Sequence, residues 1–118
     1  ERERVERCFA ALRPTVAEAT IEIRGGFNRP PMPPKSSEWL FPLAESVAAE
    51  RGLGSLVGVA VGGGSDGNFT AAAGVATLDG LGAVGGGAHA DHEWVDVTAM
   101  PARASLITGI VERLQNRD

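Results

Sequence analysis

Cysteine is almost missing from this chain, and so is any excess of positive charge. The single Cys8 rules out an internal disulfide. It falls on a helical apolar stripe, which predicts a small buried hydrophobe rather than a reactive thiol. Eleven basic residues face fifteen acidic ones, for a net charge of −4. That balance excludes the clustered Lys and Arg of a nucleic-acid footprint. No run approaches the ~18 apolar residues of a membrane span. No apolar stretch follows Glu1-Arg2-Glu3-Arg4, so no signal peptide is visible and a cytoplasmic location is expected. The first residues lack a Met and open in mid-pattern of a helix, so the chain is expected to be a piece of a longer polypeptide. Its 118 residues match one domain on the usual scale of about 100–200 residues.

Glycine, by contrast, is abundant and clustered. Thirteen of the 16 glycines fall between Gly52 and Gly87. Two runs stand out, Gly62-Gly63-Gly64-Ser65-Asp66-Gly67-Asn68-Phe69 and Gly85-Gly86-Gly87-Ala88-His89. Without a Cβ, backbone can come close to a ligand.

Periodicity supplies the elements. Val5, Cys8, Phe9 and Leu12 predict a helix ended by Pro14. Residues 20–24 alternate, predicting a strand with Ile21 and Ile23 inward. Pro30, Pro31, Pro33 and Pro34 then form a stiff connector. Leu40, Leu43, Ala44, Val47 and Ala48 predict a second helix, with Ser36 or Ser37 as cap and Gly52 as its stop. The apolar run 56–61 predicts a strand buried on both faces. Asp66 is expected to cap a short helix reaching about Ala73, and 76–79 predict a further strand. Residues 80–92 are expected to be loop. Thr98 is expected to cap a last helix with Arg103, Ile107, Ile110 and Leu114 along one side. This alternation after the prolines predicts an α/β fold, with residues 1–33 and 34–118 as separate parts.

Several groups are candidates for chemistry. Gly80-Leu81-Gly82-Ala83-Val84-Gly85 matches the GxGxxG dinucleotide fingerprint, but a helix must follow it and residues 86–91 do not predict one. The 62–69 loop sits between a predicted strand and a helix, where free N–H groups suit an anion. The plain alternative is a tight turn capped by Asp66, although a cap does not need three consecutive glycines. His89, Asp91, His92 and Glu93 are four potential metal ligands in five residues. One loop rarely supplies a full tetrahedral set, and there is no other histidine. Arg24 and Arg29 flank the Gly25-Gly26 break. Arg29 is held beside Pro30-Pro31 and can grip a carboxylate bidentately, while a solvated surface role is the plain alternative for both.

Taken together, Asn28-Arg29-Pro30-Pro31-Met32, the 62–69 run, Gly80-Leu81-Gly82, and Gly87-Ala88-His89 with Glu93 and Val95 resemble the C-terminal part of the dinuclear zinc exopeptidase and deacylase family. That family includes glutamate carboxypeptidases, acetylornithine deacetylases and succinyl-diaminopimelate desuccinylases. The resemblance implies that residues 1–33 end a small lid (dimerisation) domain and that 34–118 close a catalytic α/β domain. It implies His89 as the last ligand of one of two zinc ions, with Glu93 supporting its loop. Arg29 would grip the substrate carboxylate, and Gly63 and Gly64 would form the wall that the scissile group passes. Asn68 stands where desuccinylases tend to carry Arg, which leans towards a carboxypeptidase or N-acyl amino acid hydrolase. The remaining ligands and the general base would come from an upstream part of the polypeptide. The implied partners are a small carboxylate-bearing peptide or N-acyl amino acid and, through the lid, a second copy of the chain. The alternatives are a nucleotide-binding α/β module and a non-catalytic interaction domain.

Overall fold

The computed structural model describes residues 1–117. The chain divides between Pro30 and Pro31 into two units, Glu1–Pro30 and Pro31–Asp118. The division falls inside the proline cluster, where fixed φ angles and missing N–H groups stop regular structure from crossing.

In the first unit, α1 spans Arg2–Ala10. Arg2 bonds Glu6 at 2.9 Å one turn on, and Arg4 pairs with Glu1. Such exposed pairs add only a few tenths of a kcal/mol each, about 0.2–0.5. The stripe of α1 is not buried: no residue of the helix is, and Cys8 is exposed. The expected burial of Cys8 is therefore corrected. So is the strand at 20–24, because Ile21 and Ile23 are 46% and 49% exposed and no strand among the described residues pairs with them. A pattern of alternation makes a strand only where a partner takes its N–H and C=O groups.

The second unit holds the core. Its longest helices are α2, Leu40–Glu50, and α4, Met100–Gln115. Ala44, Val47, Ala48, Leu106 and Ile110 form the buried cluster, and Leu43, Leu53, Leu56, Leu78 and Leu81 pack around it. Leu106, only 2% exposed, contributes about 1.5–3 kcal/mol by its burial. Gly109 lets the helices approach: a Cβ there would lie 2.5 Å from Val47 Cγ1 and 2.6 Å from Arg51 Nε. Arg51 then reaches across, donating to Ser105 O at 3.0 Å and pairing with Glu112. Arg113 grips both Glu50 oxygens, at 2.5 and 2.6 Å. The buried line of α4 runs through Leu106, Gly109 and Ile110, whereas Ile107 and Leu114 stay exposed. The apolar side expected through Ile107 and Leu114 is thus rotated.

The helix ends follow local chemistry. Gly52, at φ +64°, ends α2 as expected. Its N–H donates to Ala49 O and that of Leu53 to Ala48 O, at 3.2 and 2.9 Å, the pair of bonds of a Schellman end. Pro42 is the third residue of α2, where no intrahelical N–H bond is lost. Neither Ser36 nor Ser37 caps α2: both lie in a preceding 3-10 turn, Pro34–Ser37, and Trp39 is the N-cap. A short helix α3 spans Gly67–Ala72, and Asp66 makes no side-chain cap bond there. Ser65 replaces it, its hydroxyl accepting from Gly67 N–H at 3.0 Å. Thr98 does not cap α4, whose N-cap is Ala99 with no side-chain bond; the capping residue is Asp96, one turn earlier. Its carboxylate accepts from both the N–H and the hydroxyl of Thr98, within the 3-10 turn Val97–Ala99 that leads into α4.

Strands are where expectation and structure part. Residues 56–61 and 76–79 form none, and Val57, Val59 and Val61 are 77%, 74% and 77% exposed. The one sheet among the described residues is an antiparallel hairpin that pairs β1, Gly85–Gly86, inside the segment expected to be loop, with β2, Trp94–Val95, just beyond it.

Candidate functional site

His89 sits at the tip of this hairpin. Gly85 faces Val95 and Gly86 faces Trp94, and Asp96 N–H donates to Val84 O at 2.8 Å to close the base. Two successive turns cross the tip. Ala90 N–H donates to Gly87 O at 2.9 Å, and Glu93 N–H donates to Ala90 O at 3.0 Å. In the first turn His89 takes the third position with φ +67°. A left-handed third position is the type II pattern, and that place belongs by preference to Gly or Asn. Among the described residues His89 is the only non-glycine with positive φ. Such outliers cost about 1–3 kcal/mol and gather at functional sites. The imidazole is exposed and makes no hydrogen bond or ion pair with the described residues.

The glycines before His89 have an internal cause. A Cβ on Gly85 would lie 2.2 Å from Trp94 O, and one on Gly86 2.9 Å from Trp94 Nε1. Gly87 has φ +69°, and its Cβ would meet His92 Cδ2 at 3.0 Å. The second glycine-rich run therefore lets the hairpin close on itself, and His92 packs into it. Gly85→Ala is expected to open the hairpin. Overpacking of this kind costs about 1–3 kcal/mol, so protection of the Asp96 amide against hydrogen exchange should fall roughly ten- to a hundred-fold. Gly82→Ala is the contrast: no atom lies within 4 Å of its Cβ and its φ is not positive, so protection should hold.

The first glycine-rich run differs. Neither a left-handed φ nor a neighbouring atom calls for glycine at Gly62 or Gly63. Asn68 helps to fold the loop, its side-chain oxygen accepting from Ser65 N–H at 2.8 Å. The Ser65 hydroxyl bonds the Asp79 carboxylate, and Gly80 N–H donates to it at 2.8 Å. These bonds, Ser65 foremost, hold Asp79 below the usual carboxylate range. Asp79 thereby ties the 62–69 loop to the segment that leads to the hairpin. A cleft of about 560 Å³ lies beside this loop, lined by Met32, Phe41, Val59, Val61, Asn68 and Asp79. Its volume is in the range of ligand sites, about 300–1,000 Å³. A more open cavity of about 780 Å³ lies within the first unit, among Phe9, Leu12, Ile23 and Phe27. It contains no histidine.

Of the residues singled out in sequence, His89 and Glu93 share the hairpin tip, and Gly63 and Asn68 share the 62–69 loop. His89, Asp91, His92 and Glu93 do not converge: among the described residues no three His, Cys, Asp or Glu side chains are grouped to hold a metal. Arg24 bonds both Glu22 oxygens, at 2.7 and 2.8 Å, a surface pair. Arg29 is half-buried in the first unit. The GxGxxG match runs into β1 rather than a helix, so the context required for a dinucleotide is missing.

The model of the peptidase family M20/M25/M40 matches residues 2–113. The chain belongs to that family. Membership places it among peptidases, hydrolases that are generally metal-dependent. Every candidate residue lies within the matched span. No curated protein and no solved structure matched the chain.

Sequence reasoning missed Arg103, which binds the segment before the hairpin, and Trp94, which covers Gly86. A signal for the first was present: Arg103 was the one charged residue in the apolar line expected along α4.

Proposed function

We propose that this chain is the C-terminal part of a zinc-dependent M20 hydrolase that cleaves an amide or peptide bond next to a carboxylate. A carboxypeptidase or an N-acyl amino acid hydrolase fits best. The observation that carries the reading is His89: an unengaged imidazole held at φ +67° on a doubly turned hairpin tip, in a chain of this family. A metal ligand must be presented at fixed geometry with its nitrogen open, and the tip does both. The site fits a metal as one ligand of a set, and other parts of the polypeptide complete that set.

Zinc, when bound by the full set, supplies a Lewis acid and brings the pKa of a water to about 7. The chain's own residues then hold and align. His89 contributes one imidazole nitrogen. Gly63 and Gly64 line the passage of the scissile group, which explains glycine where Gly63 has no internal need of it. Asn68 flanks the same loop. Arg29 holds the substrate carboxylate through its planar fork. The general base and the remaining ligands come from upstream, as do the strands that build an α/β sheet against α2 and α4.

Assays with N-acyl amino acids and glutamyl amides test this directly. The parent enzyme should turn over carboxylate-bearing amides, lose activity to a chelator and regain it with zinc. The isolated chain should be inactive with or without zinc. Zinc-restored turnover by the isolated chain would overturn the assignment as a part of the catalytic unit. A parent that ignores the carboxylate would overturn the substrate class.

A further inference from the structure

One end of the hairpin is tied to the 3-10 turn that leads into α4, the other to the first turn of α4 itself. At the outlet, Asp96 accepts from the N–H of Thr98 at 2.9 Å and from its hydroxyl, and its own N–H closes the hairpin base on Val84 O. At the inlet, the guanidinium of Arg103 meets three successive carbonyls. Its Nε donates to Gly82 O at 2.8 Å and to Leu81 O at 3.2 Å, and its Nη2 donates to Gly80 O. Three carbonyls turned towards one side of a strap repel one another unless a cation neutralises them. Arginine, with five donors in a fixed plane, satisfies them together. Leu81 packs against the core through its side chain, which fixes one point of the strap. Arg103 fixes the orientation of its peptide planes. Three residues later the strap becomes β1, whose far end carries the His89 turn.

We propose that Arg103 is a positioning residue for His89: it sets the strap, and through it the hairpin, at the angle that presents the imidazole. The proposal rests on the assignment of His89 as a metal ligand. Its physical content is separate, because α4 is anchored in the core by Leu106 and Ile110 and Arg103 transmits that anchorage to the tip. Residues that orient metal ligands are generally worth about 10–100-fold in metal affinity or activity.

The test uses the full-length enzyme with Arg103→Ala, Arg103→Lys and His89→Ala. Zinc affinity is read by competition with a chelator, hairpin order by hydrogen exchange of the Asp96 amide in metal-free protein, and turnover as separate kcat and KM. Arg103→Ala should speed exchange of Asp96, weaken zinc about tenfold and lower kcat with KM unchanged. Arg103→Lys, a point donor that cannot span three carbonyls, should fall between Arg103→Ala and wild type, and it carries the test if Arg103→Ala does not fold. Wild-type exchange and zinc affinity in both variants would overturn the proposal. So would a loss of zinc accounted for by the fraction unfolded at the assay temperature, as given by the thermal melt. If His89→Ala keeps its zinc, the ligand assignment fails instead, and the exchange data still decide whether Arg103 orders the hairpin.

Discussion

Replacing His89 with alanine in the full-length enzyme should abolish turnover and weaken or release one metal ion, with little change in folding. Partners one step removed from a metal already cost about 10–100-fold, so loss of a ligand should lower kcat by more than about a hundredfold. Little stability is at stake, because His89 is exposed and its side chain bonds nothing among the described residues. The backbone is the one complication. At φ +67° alanine is less at ease than histidine, whereas asparagine takes the left-handed region readily. His89→Asn therefore removes the imidazole while keeping the turn. Both variants should lose metal alike, and only His89→Ala should lose some Tm. His92→Ala should keep both metal and turnover, since that ring packs on Gly87. Wild-type kcat and two bound metals in His89→Asn would show that the tip is not a ligand.

The second large effect belongs to Arg29. A charge-assisted bond to a carboxylate contributes about 1.5–3 kcal/mol, so Arg29→Ala should lower kcat/KM roughly ten- to a hundred-fold. Arg29→Lys should recover only part, because an ammonium cannot copy the bidentate fork. The decisive comparison uses two substrates, one with the carboxylate and one with a neutral amide in its place. Arg29→Ala should erase the preference between them. Arg24→Ala should leave it intact, since Arg24 is engaged with Glu22 at the surface. An Arg29→Ala enzyme that discriminates as strongly as wild type would move carboxylate recognition elsewhere, with Gly63, Gly64 and Asn68 next in line.

What the sequence made legible was whatever is decided locally. The stripe of Leu40, Ala44, Val47 and Ala48 is buried in α2, and the left-handed Gly52 stops that helix, with its own N–H and that of Leu53 each bonded to the last turn. A helix satisfies its backbone from within, so its pattern can be read from its own residues. Strands depend on residues elsewhere. The run 56–61 is uncharged and holds three valines, yet it forms no strand, because no neighbour among the described residues supplies the ladder. The hairpin that does form uses Gly85 and Gly86, residues with low β-propensity, because only they tolerate the approach of Trp94. Caps were legible as a type of residue but not by position: Ser65 took the role expected of Asp66, and Asp96 caps the 3-10 turn before α4 rather than Thr98 capping α4 itself. For the site, composition pointed to His89 and to both glycine runs. It could not show that one run serves internal packing while the other has no such need at Gly62 and Gly63. That distinction lies in distances and in the sign of φ.

The bare valines at 57, 59 and 61 also bear on how the polypeptide is made and handled. Leu56-Val57-Gly58-Val59-Ala60-Val61 carries no charge and no proline, the composition of segments that stack into cross-β assemblies when left uncovered. Nothing acidic or basic interrupts it as a gatekeeper. Left uncovered, this hexapeptide is sticky towards copies of itself. Under the proposed fold, order of synthesis then matters: a segment made after upstream strands can pair with them as it emerges, whereas the same segment produced separately meets mainly its own kind.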